Sequence, residues 1–70
     1  MLEQVRFLIG QGFTGLPGLW LARHRTDPRY ANDPEFWATI GALHLAEGQG
    51  DLAQAAFEVA ALAHARLGYN

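Results

Sequence analysis

The chain contains no cysteine, no serine and no lysine. Without cysteine, disulfides and thiolate metal sites are excluded. The further loss of serine and lysine removes the commonest catalytic nucleophiles. Hydroxyls are confined to Thr14, Thr26, Thr39 and two tyrosines, so any enzymatic chemistry would rest on carboxylates and histidines. Basic charge is also scarce. Five arginines against seven acidic residues give a formal net charge of −2, which argues against nucleic acid as a partner. The one basic cluster, Arg23-His24-Arg25, is accounted for by a solvated helix end. No apolar run reaches the roughly 18 residues of a membrane span, and the start lacks a basic-then-apolar leader. The expected location is therefore the cytoplasm, with no membrane as partner.

What the chain does have is apolar surface. Hydrophobic residues make up 50% of it, enough for a core and too many for disorder. Its 70 residues allow one domain, and a domain this small buries only a modest share of its surface. Such domains are usually completed by disulfides, a metal or a partner subunit.

Periodicity and punctuation divide the chain into four helices, with no convincing strand. Residues 2–10 place Leu2, Val5, Leu8 and Ile9 on one helical face and leave Phe7 off it. Gly10 and Gly12 then stop the helix. Thr14 is a candidate cap for the second helix, and Pro17 is tolerated because it lies in the first turn. Leu16, Leu19 and Trp20 face one way along it. Residues 26–33, TDPRYAND, form a connector broken by Pro28. DPEFW is a strong helix start: Asp33 caps, Pro34 takes the first helical position, and Glu35 suits the positive pole of the helix. Phe36, Trp37, Ile40, Leu43 and His44 form its apolar face, and it ends near Glu47-Gly48. Asp51 and Gln54 have capping-box spacing at the start of the last helix, which runs to Gly68. Seven alanines lie between residues 51 and 67, and polar residues keep to a strip near Gln54 and Glu58. A helix apolar almost all round is expected to pack on more than one side, against its hairpin partner plus another helix or another chain.

The last two helices resemble a tetratricopeptide repeat, over about residues 33–68. That family's repeat is an antiparallel helix pair of about 34 residues. Trp37, Ile40, Gly41 and His44 match the spacing of its first helix, with His44 in place of a tyrosine. Ala53, Phe57 and Ala60 follow on the second helix. In that pattern Gly41 and Ala53 let two backbones approach while larger residues interlock around them. A second register is also open. GDLAQA at 50–55 resembles the family's turn into its second helix and would place Leu52, Ala55, Val59 and Ala63 inward. The resemblance implies an all-α fold of four helices as two antiparallel helical hairpins in a right-handed stack. Hairpin 1 would span about residues 2–26, the connector 27–33 and hairpin 2 about 34–68, all within one domain of residues 1–70.

An internal echo bears on the first half. Gly-Gln-Gly occurs at residues 10–12 and again at 48–50. Sliding the chain by that offset puts Gly15 on Ala53, Leu19 on Phe57 and Ala22 on Ala60. The first helix lacks the family's marks, with Glu3 and Arg6 at two signature positions, so the first half reads as a degenerate half-repeat.

Carried over from the resemblance, the groove-facing positions are Glu35, Ala38, Thr39, Ala42, Leu45 and Ala46. This strip of small residues suits close approach of a helix, either the first helix of the same chain or a partner. Two hairpins fall short of the three repeats such folds usually need, so self-association as a homodimer or larger is expected, with Phe7, Leu45 and Phe57 as contacts. The expected function is a protein–protein interaction module without catalysis or cofactor. The alternative is a small-ligand or metal-binding helical bundle, in which His44 and Glu47, one turn apart, would be joined by His64. Against it, the acidic residues lie mostly at helix starts, where the helix dipole accounts for them. Gly-Gln-Gly also lacks the lysine and strand of a phosphate loop.

Overall fold

In the computed structural model, which describes residues 1–67, four helices follow one another: α1 (Leu2–Gly10), α2 (Gly15–His24), α3 (Pro34–Ala46) and α4 (Gly50–Arg66). The fold is all-α, and no strand occurs among the described residues. Gly68, the expected end of the last helix, lies outside them.

The start of α3 forms as its local chemistry dictates. The Asp33 carboxylate accepts a hydrogen bond from the Glu35 backbone N–H at 3.0 Å, and Pro34 opens the helix. The Asp33→Ala variant should lose about 1 kcal/mol of stability in urea unfolding, the ordinary cost of an N-cap acceptor. The other two expected caps do not form. Thr14 occupies the N-cap of α2, but at φ −115° and ψ −17° its backbone is already helical, and its side chain makes no capping bond. At α4 the helix begins one residue early, at Gly50, with Gln49 as N-cap. Asp51 therefore sits inside the first turn, where its charge still favours the positive helix pole.

Two glycines end helices in the same way. Gly12 has φ +88° and Gly48 has φ +75°, a left-handed backbone that L side chains rarely adopt. After α1, the Gly12 N–H donates to Ile9 O and the Phe13 N–H to Leu8 O. After α3, the Gly48 N–H donates to Leu45 O and the Gln49 N–H to His44 O. Both are Schellman closures. The closing glycine is the second of the first Gly-Gln-Gly and the first of the other. The equivalent turns are thus 36 residues apart, not at the offset of the tripeptide echo.

α3 is the central element. It packs along α4 and also touches α1 and α2, whereas α4 touches α3 alone among the described helices. Phe36, Ile40 and Leu43 of α3 join Val5 and Ile9 of α1, Leu21 of α2 and Ala56 of α4 in one buried cluster. Among the described residues α4 packs on one side, against α3, so a second side would have to meet another chain rather than another helix of this one. On α2 the buried residues are Pro17 and Leu21, while Leu16 and Leu19 are exposed. Gly18, whose missing side chain leaves Leu43 Cδ2 within 3.8 Å of its Cβ position, brings the Pro17–Leu21 side of α2 against α3.

α4 runs opposite to α3. Leu45 shares a depression with Gly50 and Ala53, Gly41 meets Phe57, and Pro34 and Glu35 share a depression with His64. Four alanines, Ala53, Ala56, Ala60 and Ala63, form the buried side of α4. The Trp37-based register places Ala53 and Ala60 inward, and both are buried. Of the inward set in the alternative register, Leu52, Ala55 and Val59 are on the open side and only Ala63 is buried.

The connector carries packing that its polar sequence conceals. Tyr30 stacks on Phe36 at 5.2 Å between centroids and meets Trp20 edge-on at 5.4 Å. The Trp37 Nε1–H donates to Ala31 O at 2.8 Å, which ties the connector to α3. Asp27 accepts hydrogen bonds from the Arg29 side chain and backbone, which hold its carboxyl down from 3.8 to about 2. The Arg23-His24-Arg25 cluster is only partly solvated: His24 stacks on Trp20 at 4.4 Å, and Arg25 lies over Trp37 at 5.4 Å.

Candidate interaction surfaces

The small-residue strip on α3 is largely used by the chain itself. Thr39 is 1% exposed, and its hydroxyl donates to Glu35 O at 2.7 Å. It cannot serve as a contact, which corrects its assignment to the interaction surface. A threonine in a helix can satisfy its hydroxyl on the preceding turn and so be buried without a penalty. Ala42 is half-buried against the core cluster, Ala38 is half-buried, and Glu35 lies 3.9 Å from Arg6 of α1. α1 thus sits against this side of α3, as expected if the strip serves intrachain packing.

Leu45 and Phe57 are brought together. With Gly50, Ala53, Gln54, Glu58 and Ala61 they line an open depression of about 410 Å³ along α3 and α4. The Phe57 ring lies over Gly41: a Cβ there would be 2.6–2.8 Å from the ring carbons. Phe57 is therefore partly an interhelix packing residue, with one edge in solvent. Phe7 stands exposed on α1, a separate part of the surface.

Two further apolar surfaces were not singled out from the sequence. One is the free side of α4. Leu52, Ala55, Val59 and Leu62 recur at heptad-like spacing along it, and Leu62 is 59% exposed. That spacing was present in the sequence but could be assigned equally to the inward side. The other is a groove of about 300 Å³ between α1 and α2. Val5 and Pro17 form its buried floor. Met1, Leu8, Leu16 and Leu19 form its walls, and Arg23 stands at its edge.

The residues of the metal-binding alternative are not assembled. His44 Nδ1 is 3.5 Å from Glu47 Oε1, an ion-pair contact without hydrogen-bond geometry. His64 lines a depression with Asp33, Pro34 and Glu35, at the opposite end of α3. Among the described residues, no group of three histidine or acidic side chains is placed to hold a metal ion. No described helix is long and apolar enough to cross a membrane.

Compared with protein-family models, with curated proteins and with solved structures, the chain matches none.

Proposed function

We propose that this chain is a small helical interaction module, working in the cytoplasm by associating with protein, its own copies first, and without catalysis. The observation that carries this is the state of α4. Among the described helices it packs on α3 alone, yet large apolar side chains line its free side. The molecule as a whole is compact. Its radius of gyration is 11.5 Å, against about 11 Å expected for a folded domain of this length. The open face is therefore not waiting for another element of the described chain. Contiguous exposed apolar patches on a small domain usually mark contact surfaces.

The reading as two tetratricopeptide-like hairpins is part of this proposal. It draws support from the packing of Phe57 over Gly41, from the burial of Ala53 and Ala60, and from the repeated Schellman turn. A two-hairpin stack lacks the neighbours that repeat folds use to cover their end faces, which favours association.

Light scattering on the purified chain, from micromolar to millimolar concentration, tests the proposal. The average mass should rise with concentration above that of the monomer. A constant monomer mass over the whole range would refute it.

A further inference from the structure

The molecule carries two open apolar surfaces of different shape and charge, on elements packed against different parts of α3. The free side of α4 is a ridge of Leu52, Val59 and Leu62, with Asp51 and Glu58 along one flank. The space between α1 and α2 is a groove walled by Met1, Leu8, Leu16 and Leu19, with Arg23 at its edge. Four of the five arginines precede residue 34, and four of the seven acidic residues follow it. The two parts of the chain therefore carry formal charges of +1 and −3.

We infer that copies of this chain associate head to tail, the α4 ridge of one copy seated in the α1–α2 groove of the next. This rests on the self-association proposed above and names its surfaces. The apolar ridge supplies what the apolar groove lacks, and Asp51 and Glu58 come to the Arg23 edge of the next copy's groove. Opposite charge at an interface fixes partner and orientation more than it adds affinity.

The competing arrangement pairs two α4 ridges about a twofold axis. In an antiparallel pair like flanks meet, so the mid-helix Glu58 would lie near its own counterpart, while Asp51 would lie at the far end of the other copy's α4, where Arg66 stands. In a parallel pair the acidic flank would need the opposite flank, Ala56 and Ala63, which is already buried on α3. A head-to-tail contact uses two different patches, so one copy can bind two neighbours and the assembly grows beyond a dimer unless it closes into a ring.

Two variants separate the arrangements. Leu62→Glu blocks the ridge and Leu19→Glu blocks the groove. Both side chains are exposed in the monomer, so each variant should retain the helical circular-dichroism signal of the parent. A carboxylate buried in either apolar contact should weaken association by more than about tenfold. Each variant alone should sediment as a monomer at concentrations where the parent associates. Their equimolar mixture should give a one-to-one dimer that grows no further, because each retains one intact surface. Leu16→Glu serves as a second groove variant if Leu19→Glu loses helicity.

Association of the groove variants as strong as the parent's would overturn the head-to-tail arrangement while leaving self-association standing. So would a mixture that stays monomeric. A parent chain that never associates would overturn both.

Discussion

Replacing Phe36 with alanine should remove a large part of the chain's folding stability. Phe36 is 0% exposed and is the largest fully buried side chain. It stacks on Tyr30 at 5.2 Å and meets Trp37 edge-on at 6.1 Å, with Trp20 at 6.2 Å. It thus joins the connector, α2 and α3 in one contact. Truncating a buried phenylalanine costs about 3–5 kcal/mol. A domain of this length has about 4–10 kcal/mol in total, at the typical stability per residue. At about 4–8 °C per kcal/mol, the melting midpoint should fall by about 12–40 °C. The exposed Phe13 supplies the control: Phe13→Ala should change stability by no more than about 0.5 kcal/mol. Thermal unfolding followed by circular dichroism would distinguish the two. Equal effects would mean that Phe36 is not at the centre of the core.

The second large effect concerns Gly41 and depends on its neighbour. In a helix interior, glycine to alanine ordinarily stabilises by about 1 kcal/mol. Here the new Cβ would be 2.6–2.8 Å from the Phe57 ring. The ring would have to swing outward, loosening the packing of α4 on α3 at that point. Gly41→Ala should therefore destabilise, by about 1–3 kcal/mol, as overpacked sites do. With Phe57 also replaced by alanine the obstruction is gone. In that background the same change should stabilise by about 1 kcal/mol. A double-mutant cycle in urea reads this reversal of sign directly. A Gly41→Ala change that stabilises both backgrounds would show that Phe57 does not rest on Gly41.

Parts of the fold governed by local chemistry were legible in the sequence. Asp33-Pro34-Glu35 is a cap, a first-turn proline and a favourable charge in three consecutive residues, and it forms as expected. The face of α1 was also legible, because only one side of that helix is apolar: Val5 and Ile9 are buried and Phe7 is not. Where a helix is apolar on two sides, periodicity names the sides but not the one that meets α3. This is why the shared side of Leu16 and Leu19 did not reveal that both lie outside, and why two registers of α4 stayed open. Alanine deepens the ambiguity, because it suits both a close contact and an exposed helical surface.

Other features were hidden for different reasons. Tyr30 looks like loop filler and is a core aromatic, because rings on α2 and α3 come together around it. Thr39 looks like groove surface and is buried, because its hydroxyl is satisfied within its own helix. The repeated Gly-Gln-Gly invited a simple alignment. The left-handed backbone selects Gly12 in one copy and Gly48 in the other. The recurring feature is the turn geometry, not the tripeptide.

The central claim is that the free side of α4 is a protein-binding surface, used first by the chain itself. Amide chemical shifts recorded as the unmodified chain is concentrated from micromolar to millimolar test it residue by residue. The account predicts progressive shifts at Leu52, Ala55, Val59 and Leu62, matched by shifts at Leu8, Leu16 and Leu19 in the groove. The same residues should be silent in the Leu62→Glu variant. Spectra that do not change with concentration, or changes confined to other surfaces, would contradict it.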